Sequence, residues 1–184
     1  MAGKDTWTAG SLLNLVFLNA AWGGATAGTG IAVGATTNSA ANFYISLHTN
    51  DPTVNGGGQN TNEVSYTGYA RMTAARTAAN WNLSNDATNH AANITFNATT
   101  WNNVSNFGAM TAGTGGVVNF FCIGDASTGT NGHILYCGSL SPNINVQNGV
   151  TPILLNNTTI VESAIAEHSA LYGVVSRSEP FMKA

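Results

Sequence analysis

The sequence has little charge. Of its 184 residues, 7% are Asp, Glu, Lys or Arg, where a typical soluble domain carries about 25%. Only five residues are basic, against eight acidic, for a formal net charge of -3. Five cations cannot build a stripe along a phosphate backbone, so a nucleic-acid partner is not expected. So weak a charge pattern also offers little repulsion to neighbouring molecules, and suits a chain packed into an assembly. Long apolar runs are missing too. The nearest, LLNLVFLNAAW, is short and interrupted by Asn, so no membrane span is expected. Lys4 and Asp5 precede it without the pattern of a signal peptide. There is no internal repeat, which argues against a solenoid or propeller.

Cysteine is scarce as well. Cys122 and Cys137 lie in apolar contexts, NFFCIG and ILYCGSL, that both read as strands. The expectation is two reduced, buried thiols, with a cross-strand disulfide as the alternative. Neither has a His or second Cys at ligand spacing, so no metal site is expected. His90, His133 and His168 are scattered and read as structural. Gly28-Thr29-Gly30 has no preceding strand and no third glycine at the right offset, so a nucleotide loop is not expected. The sequence implies no cofactor.

Asn, Thr, Ser, Ala and Gly take the place of the missing charges. Thr8 to Trp22 reads as a helix, with Ser11 as a possible cap and Leu12, Leu15, Val16 and Asn19 near helical spacing. Its apolar face, with Leu13 and Phe17 adjacent, is wide enough to require burial. Gly23 to Ala41 has no periodicity and reads as an irregular arm. From Asn42 the chain reads as β, with short runs at Phe43–His48, Tyr69–Arg76, Trp81–Leu83, Asn93–Phe96, Val104–Met110, Val117–Ile123, Ile134–Leu140, Ile144–Val146, Ile153–Leu155 and Thr158–Val161. Turn residues separate them at about 8–12 residue intervals, the pattern of a sandwich or jelly roll. The fold class is therefore mainly β: a jelly-roll-like antiparallel sandwich. Residues 1–41 form a helix and arm, 42–162 the core, and 163–184 an extended or helical C-terminal arm.

The richest stretch runs from Tyr44 to Arg76. Ser46 and His48 share a strand face by the period-2 rule, which makes a Ser-His pair conceivable. No G-x-S-x-G elbow accompanies it, so no catalytic residues are assigned and the chain is not expected to be an enzyme. Asp86 and Asp125 sit in separate turn-like clusters and do not suggest paired glycosidase carboxylates. Asp51, Asn55, Asn60, Asn62 and Glu63 are hard oxygen donors, but their spacing matches no EF-hand loop. Glu63 with Arg71 or Arg76 can form one bidentate pair that fixes the loop to the next strand; solvated charges on one edge are the alternative. Tyr66 and Tyr69 flank Gly68 as aromatic anchors. Tyr and Arg are favoured at interfaces, so this stretch is a candidate partner surface. The residues assigned to partner binding are Leu12, Leu15, Phe17, Glu63, Tyr66, Tyr69, Arg71, Tyr172 and Phe181.

The strand YISLHT, the turn NDP, the glycine-bearing loop and TNEVSYTGYAR together resemble a set of small tailed-phage virion proteins, often labelled tail fibre proteins. TWTAGSLLNLVFLNAAW, ANWNLSN, AANITF, NFGAMTAGTGG, ILYCGSL and NVQNGVTPIL extend the likeness over residues 6 to 161. The resemblance implies a structural phage component without catalysis. A short β-rich chain with two arm-like ends is similar to capsid decoration, or cement, proteins. The leading expectation is thus a homotrimer on the virion surface that binds the major capsid protein and stabilises its shell. The alternative is a fibre or tail-tip component binding a host glycan, with Trp81 and Trp101 as its sugar platform.

Overall fold

The computed structural model describes residues 6–19, 41–86, 91–97, 107–128, 131–155 and 157–163. Among these residues one α-helix, α1 (Thr6–Phe17), precedes seven strands: β1 (Asn42–His48), β2 (Met72–Ala75), β3 (Trp81–Asp86), β4 (Ala91–Phe96), β5 (Gly116–Gly124), β6 (Ile134–Val146) and β7 (Thr159–Ser163). The strands form two sheets, ordered β2-β1-β5-β6 and β3-β4-β7. Every pairing is antiparallel. The fold is mainly β, as the short alternating runs predict. No described helix is long and apolar enough to cross a membrane.

Alternation sets the larger sheet. Phe43, Ile45 and Leu47 of β1 turn inward beside Phe121 and Ile123 of β5, and all five are buried. In the smaller sheet Trp81, Ile94 and Phe96 are buried. One hydrophobic cluster joins both sheets to α1. Ala9, Leu13 and Phe17 are fully buried on the helix, spaced four apart and so on one face. That face packs against β3, β4 and β7. Phe17 is where the three layers meet: its ring lies 4.7 Å from Trp81, 5.5 Å from Phe43 and 5.5 Å from Tyr136. Edge-to-face and tilted contacts of this kind add to the burial of the rings themselves.

The helix differs from its expected span. It ends at Phe17, and Asn19 then takes a left-handed conformation (φ 51°). Asn tolerates that region because its short polar side chain bonds locally, so it can stop a helix. Residues 20–22 lie outside the described residues. Ser11 is not a cap: the helix starts five residues earlier, and Ser11 is buried within it. What holds the C-terminal end is Arg76, beyond β2. Its Nε donates to Val16 O (2.5 Å) and one terminal nitrogen donates to Leu15 O (2.6 Å). The guanidinium also lies 5.3 Å from the Phe43 ring centroid. A cation on the last carbonyls opposes the negative end of the helix dipole. Arg76→Met keeps the stem but loses these charged hydrogen bonds. It is expected to cost about 2 kcal/mol, read by urea unfolding, with the first amide-exchange losses in α1.

Several strand expectations resolve differently. Tyr69–Arg76 contributes only β2, because Tyr69 and Arg71 are committed to loop contacts. Ile134–Leu140 and Ile144–Val146 merge into the single strand β6. Its register against β5 shifts at Leu140–Asn143, where the Ser141-Pro142 peptide is cis. Ile153–Leu155 joins no ladder. Within Val104–Met110, residues 104–106 lie outside the described residues, and Phe107–Met110 is no strand but an irregular segment against the Tyr66–Ala70 loop, with Ala70 N donating to Phe107 O. The arm at 23–40, His90, Trp101, the tail at 164–184 with His168, Tyr172 and Phe181, and the leading residues 1–5 also lie outside them.

Candidate functional site: a braced loop and two surface clefts

The long connection between β1 and β2 folds back on its own sheet. Thr49 N donates to Asn62 O (2.9 Å) and Val64 N to Leu47 O (3.0 Å), so His48 and Glu63 form a bridge. Beneath that bridge lies a buried polar chain. Ser46 Oγ and His48 Nε2 are 2.8 Å apart. His48 Nδ1 lies 2.9 Å from Thr61 O, which accepts only from a protonated nitrogen. Nδ1 therefore carries the proton, and Nε2 accepts from the Ser46 hydroxyl. Gln59 completes the chain, its Nε2 donating to Tyr44 O (2.8 Å) and its Oε1 accepting from Ala126 N (3.1 Å). Ser46, His48 and Gln59 are all fully buried. The Ser-His geometry exists, but no substrate carbonyl can reach it in this arrangement. It braces the loop.

Burial lowers the His48 pKa below its ordinary 6.5, more than the Thr61 bond and the Glu63 carboxylate raise it; Arg71 lowers it further. The folded protein therefore prefers neutral His48. The unfolded chain takes the proton near pH 6.5 and the folded one only at lower pH. Stability should be complete above about pH 6.5 and fall as pH drops through that value toward the lowered folded one. Urea midpoints measured from pH 8 to pH 5 check this, and His48→Gln should flatten the slope while lowering the midpoint throughout.

Next along the loop is an ion pair. Arg71 donates through Nε to Glu63 Oε1 (2.7 Å) and through a terminal nitrogen to Glu63 Oε2 (2.6 Å). The side chains are 2% and 8% exposed for Arg71 and Glu63. The other terminal nitrogen donates to Ala126 O (2.8 Å) and Thr128 O (2.9 Å), tying the loop to the segment after β5. Tyr69 donates its hydroxyl to Glu63 Oε1 (2.8 Å) and accepts from Leu47 N (3.1 Å). Burial, then the Glu63 carboxylate, push its pKa far up, so the phenol stays protonated. The Glu63 hydrogen bond, the largest influence, raises the Arg71 pKa. Of the two sequence readings for this pair, the bidentate clamp is the one formed. Arg76 is not in it, being engaged at α1.

The Tyr66–Ala70 turn is clasped by the next segment. Thr67 N donates to Ala112 O and Thr111 N to Thr67 O, both at 2.9 Å. Tyr66, itself buried, donates its hydroxyl to Gly108 O (3.0 Å). Among the residues expected to meet a partner, Phe17 and Tyr66 thus lie in the core. Glu63, Tyr69 and Arg71 are engaged within the chain, and Leu12 and Leu15 are half-buried on α1. Three of the loop's oxygen donors are engaged within the chain, Glu63 by Arg71 and the other two by their neighbours. Asp51 Oδ1 accepts from the Thr53 hydroxyl (2.6 Å) and amide (2.8 Å), which hold its pKa below the usual carboxylate value. Asn62 turns its amide to Asp51 O. Cys122 and Cys137 are directly opposed on β5 and β6 and form a disulfide, correcting the expectation of separate thiols. Trp81 is no sugar platform: it is 1% exposed, stacked on Phe96, with its indole nitrogen donating to Ala75 O.

Two larger features face outward. A cleft of about 560 Å³ lies on the outer face of the larger sheet, between the Asp51–Gly58 loop and the turn before β6. A groove of about 670 Å³ lies beside β6, where Leu140, Pro142, Ile144, Ile153 and Leu155 alternate with Ser, Asn and Thr and no described residue of the lining is charged. Ile153 and Leu155 are exposed while Leu154 between them is buried, so this segment shows one apolar face to the core and another to solvent. Val161 on β7 is also exposed. Period-2 reasoning marks this pattern only if the segment is known to be extended and unpaired, which the sequence does not say.

Comparison with known proteins gives one family. Residues 5–162 match the model of the Podophage GP4 fiber I protein gp80 family. No curated protein matches the chain. The chain belongs to that family, and is a phage fibre or virion structural protein.

Proposed function

We propose that this member of a phage fibre family is a non-catalytic structural subunit of the fibre apparatus, held in the virion by association with further copies of itself. The fibre name of the family supports this reading. The uncharged groove beside β6, with Ile153 and Leu155 exposed on its wall, supports self-association. Burying such apolar surface stabilises a contact by about 25 cal/mol per Å² before ordering costs. Leu155→Lys places a charge in that contact. The wild-type chain should sediment as an oligomer and the variant as a smaller species; a wild-type monomer at all concentrations would remove the self-association.

Decoration of the shell, as a homotrimer on the major capsid protein, is the second reading. One observation favours it: the sequence has no shaft-like repeat. Gold-labelled antibody on purified particles separates the two. Label at one pole supports the fibre assignment, label over the shell supports decoration, and unlabelled particles carrying intact virion proteins would overturn both.

A further inference from the structure

We propose that the cleft on the outer face of the larger sheet is a binding site for a neutral saccharide. The proposal rests on the fibre reading for its biological sense, but its chemistry stands on the cleft alone. The cleft is paved by apolar groups and rimmed by planar polar ones. Phe120 of β5 and Leu135 of β6 line it, beside the Cys122–Cys137 disulfide. These positions share the sheet's outer face: Phe120, Cys122 and Gly124 alternate with the inward Phe121 and Ile123. A pyranose presents C–H groups on its faces and hydroxyls around its edge. An aromatic and aliphatic floor with a polar rim is complementary to that shape.

The rim supplies acceptors in the right form. Asp51 uses Oδ1 for Thr53, and Oδ2 remains to accept from a hydroxyl. His133 is oriented by Asp125: its Nδ1 lies 2.8 Å from Asp125 Oδ2 and its backbone amide donates to Asp125 Oδ1 at 2.7 Å. That contact leaves Nε2 facing solvent on an exposed ring. Asn131 adds an amide with both donor and acceptor. On the opposite side the wall is the Gly56–Gly58 backbone, which lets a ligand approach peptide groups closely.

Charge selects the ligand class. Among the described residues the lining holds one carboxylate, Asp51, and no Lys or Arg, while the imidazole of His133 is already matched to Asp125. An acidic sugar would meet an anion with no cation to pair with it. A neutral sugar meets acceptors for its hydroxyls. Sites this open bind single sugars weakly, near millimolar, and gain strength when copies act together.

The test uses the full chain labelled with nitrogen-15 and followed by amide shifts. Glucose, galactose, mannose and N-acetylglucosamine are titrated singly, with N-acetylneuraminic acid as the acidic counterpart. At least one neutral sugar should shift the amides of Gly56, Gly58, His133 and Ser139. Ser139→Trp, which fills the cleft from an exposed position, should weaken that binding by roughly tenfold or more. Asn131→Ala, at an exposed rim position, should weaken it less and serves if the tryptophan variant does not fold. Val161→Lys, at an exposed position on β7 of the smaller sheet, should leave it unchanged. No response to any neutral sugar, stronger binding of the acidic one, or binding that neither cleft variant weakens would overturn the proposal. None of these results bears on where the protein sits in the particle, so the fibre reading stands or falls separately.

Discussion

Glu63→Ala is expected to destabilise the protein by about 3–5 kcal/mol, because it leaves Arg71 charged and buried with no carboxylate. At roughly 2–4 °C per kcal/mol for a chain of this size, the melting temperature should fall by about 10 °C. The cost comes from the orphan, not from the strength of the pair itself. Arg71 is 2% exposed, and its guanidinium cannot lose its proton to escape the penalty. The Tyr69 hydroxyl loses its acceptor in the same step. A double variant, Glu63→Met with Arg71→Met, should therefore be less destabilised than the sum of the two single changes. Recovery should be incomplete, since Arg71 also holds Ala126 O and Thr128 O. Thermal unfolding of the four proteins gives the coupling energy. A value near zero would mean that the pair is solvated and the clamp does not exist.

Gly108→Ala should be the next most damaging single change, at about 3 kcal/mol or more. Gly108 has φ 77° and Gly68 has φ 101°, both in a region that L side chains rarely adopt. They also face one another: a Cβ on Gly108 would overlap Gly68 O, and one on Gly68 would overlap Ala109 O. Either methyl group must push the two backbones apart. That breaks the clasp made by Thr67, Thr111 and Ala112, and with it the Tyr66 bond to Gly108 O. Gly149→Ala makes a useful control. Its φ of 82° carries the same backbone strain, but nothing lies within 4 Å of the added atom. The difference between the two variants, by urea unfolding, isolates the steric part.

Much of the β framework could be read in advance because side-chain alternation is local. Phe43, Ile45 and Leu47 mark β1 whatever it pairs with. What pairs with what is not local, and the sequence does not reveal it: β1 lies between β2 and β5, and β7 joins β4 across more than sixty residues of chain. Charges were legible as a cluster but not as a geometry. Glu63, Arg71 and Arg76 are close in sequence, yet Arg71 turns to the loop and Arg76 to a helix sixty residues earlier. Gln59 carries no signal of its own in the sequence, since a buried amide looks like any surface glutamine until its partners are in place. The cysteines were ambiguous because their pairing depends on the β5–β6 register. The outer cleft was invisible for the same reason: Phe120, Asp51 and His133 are brought together only by the folded sheet and its covering loop.

On the proposed reading, the chain is a built part of the particle that works by holding on to other molecules. Quantitative mass spectrometry of gradient-purified virions, set against the infected-cell lysate, tests this most directly. The prediction is a fixed copy number per particle that survives repeated purification and keeps a constant ratio to the other virion proteins. A chain abundant in the lysate but absent from infectious particles would contradict it.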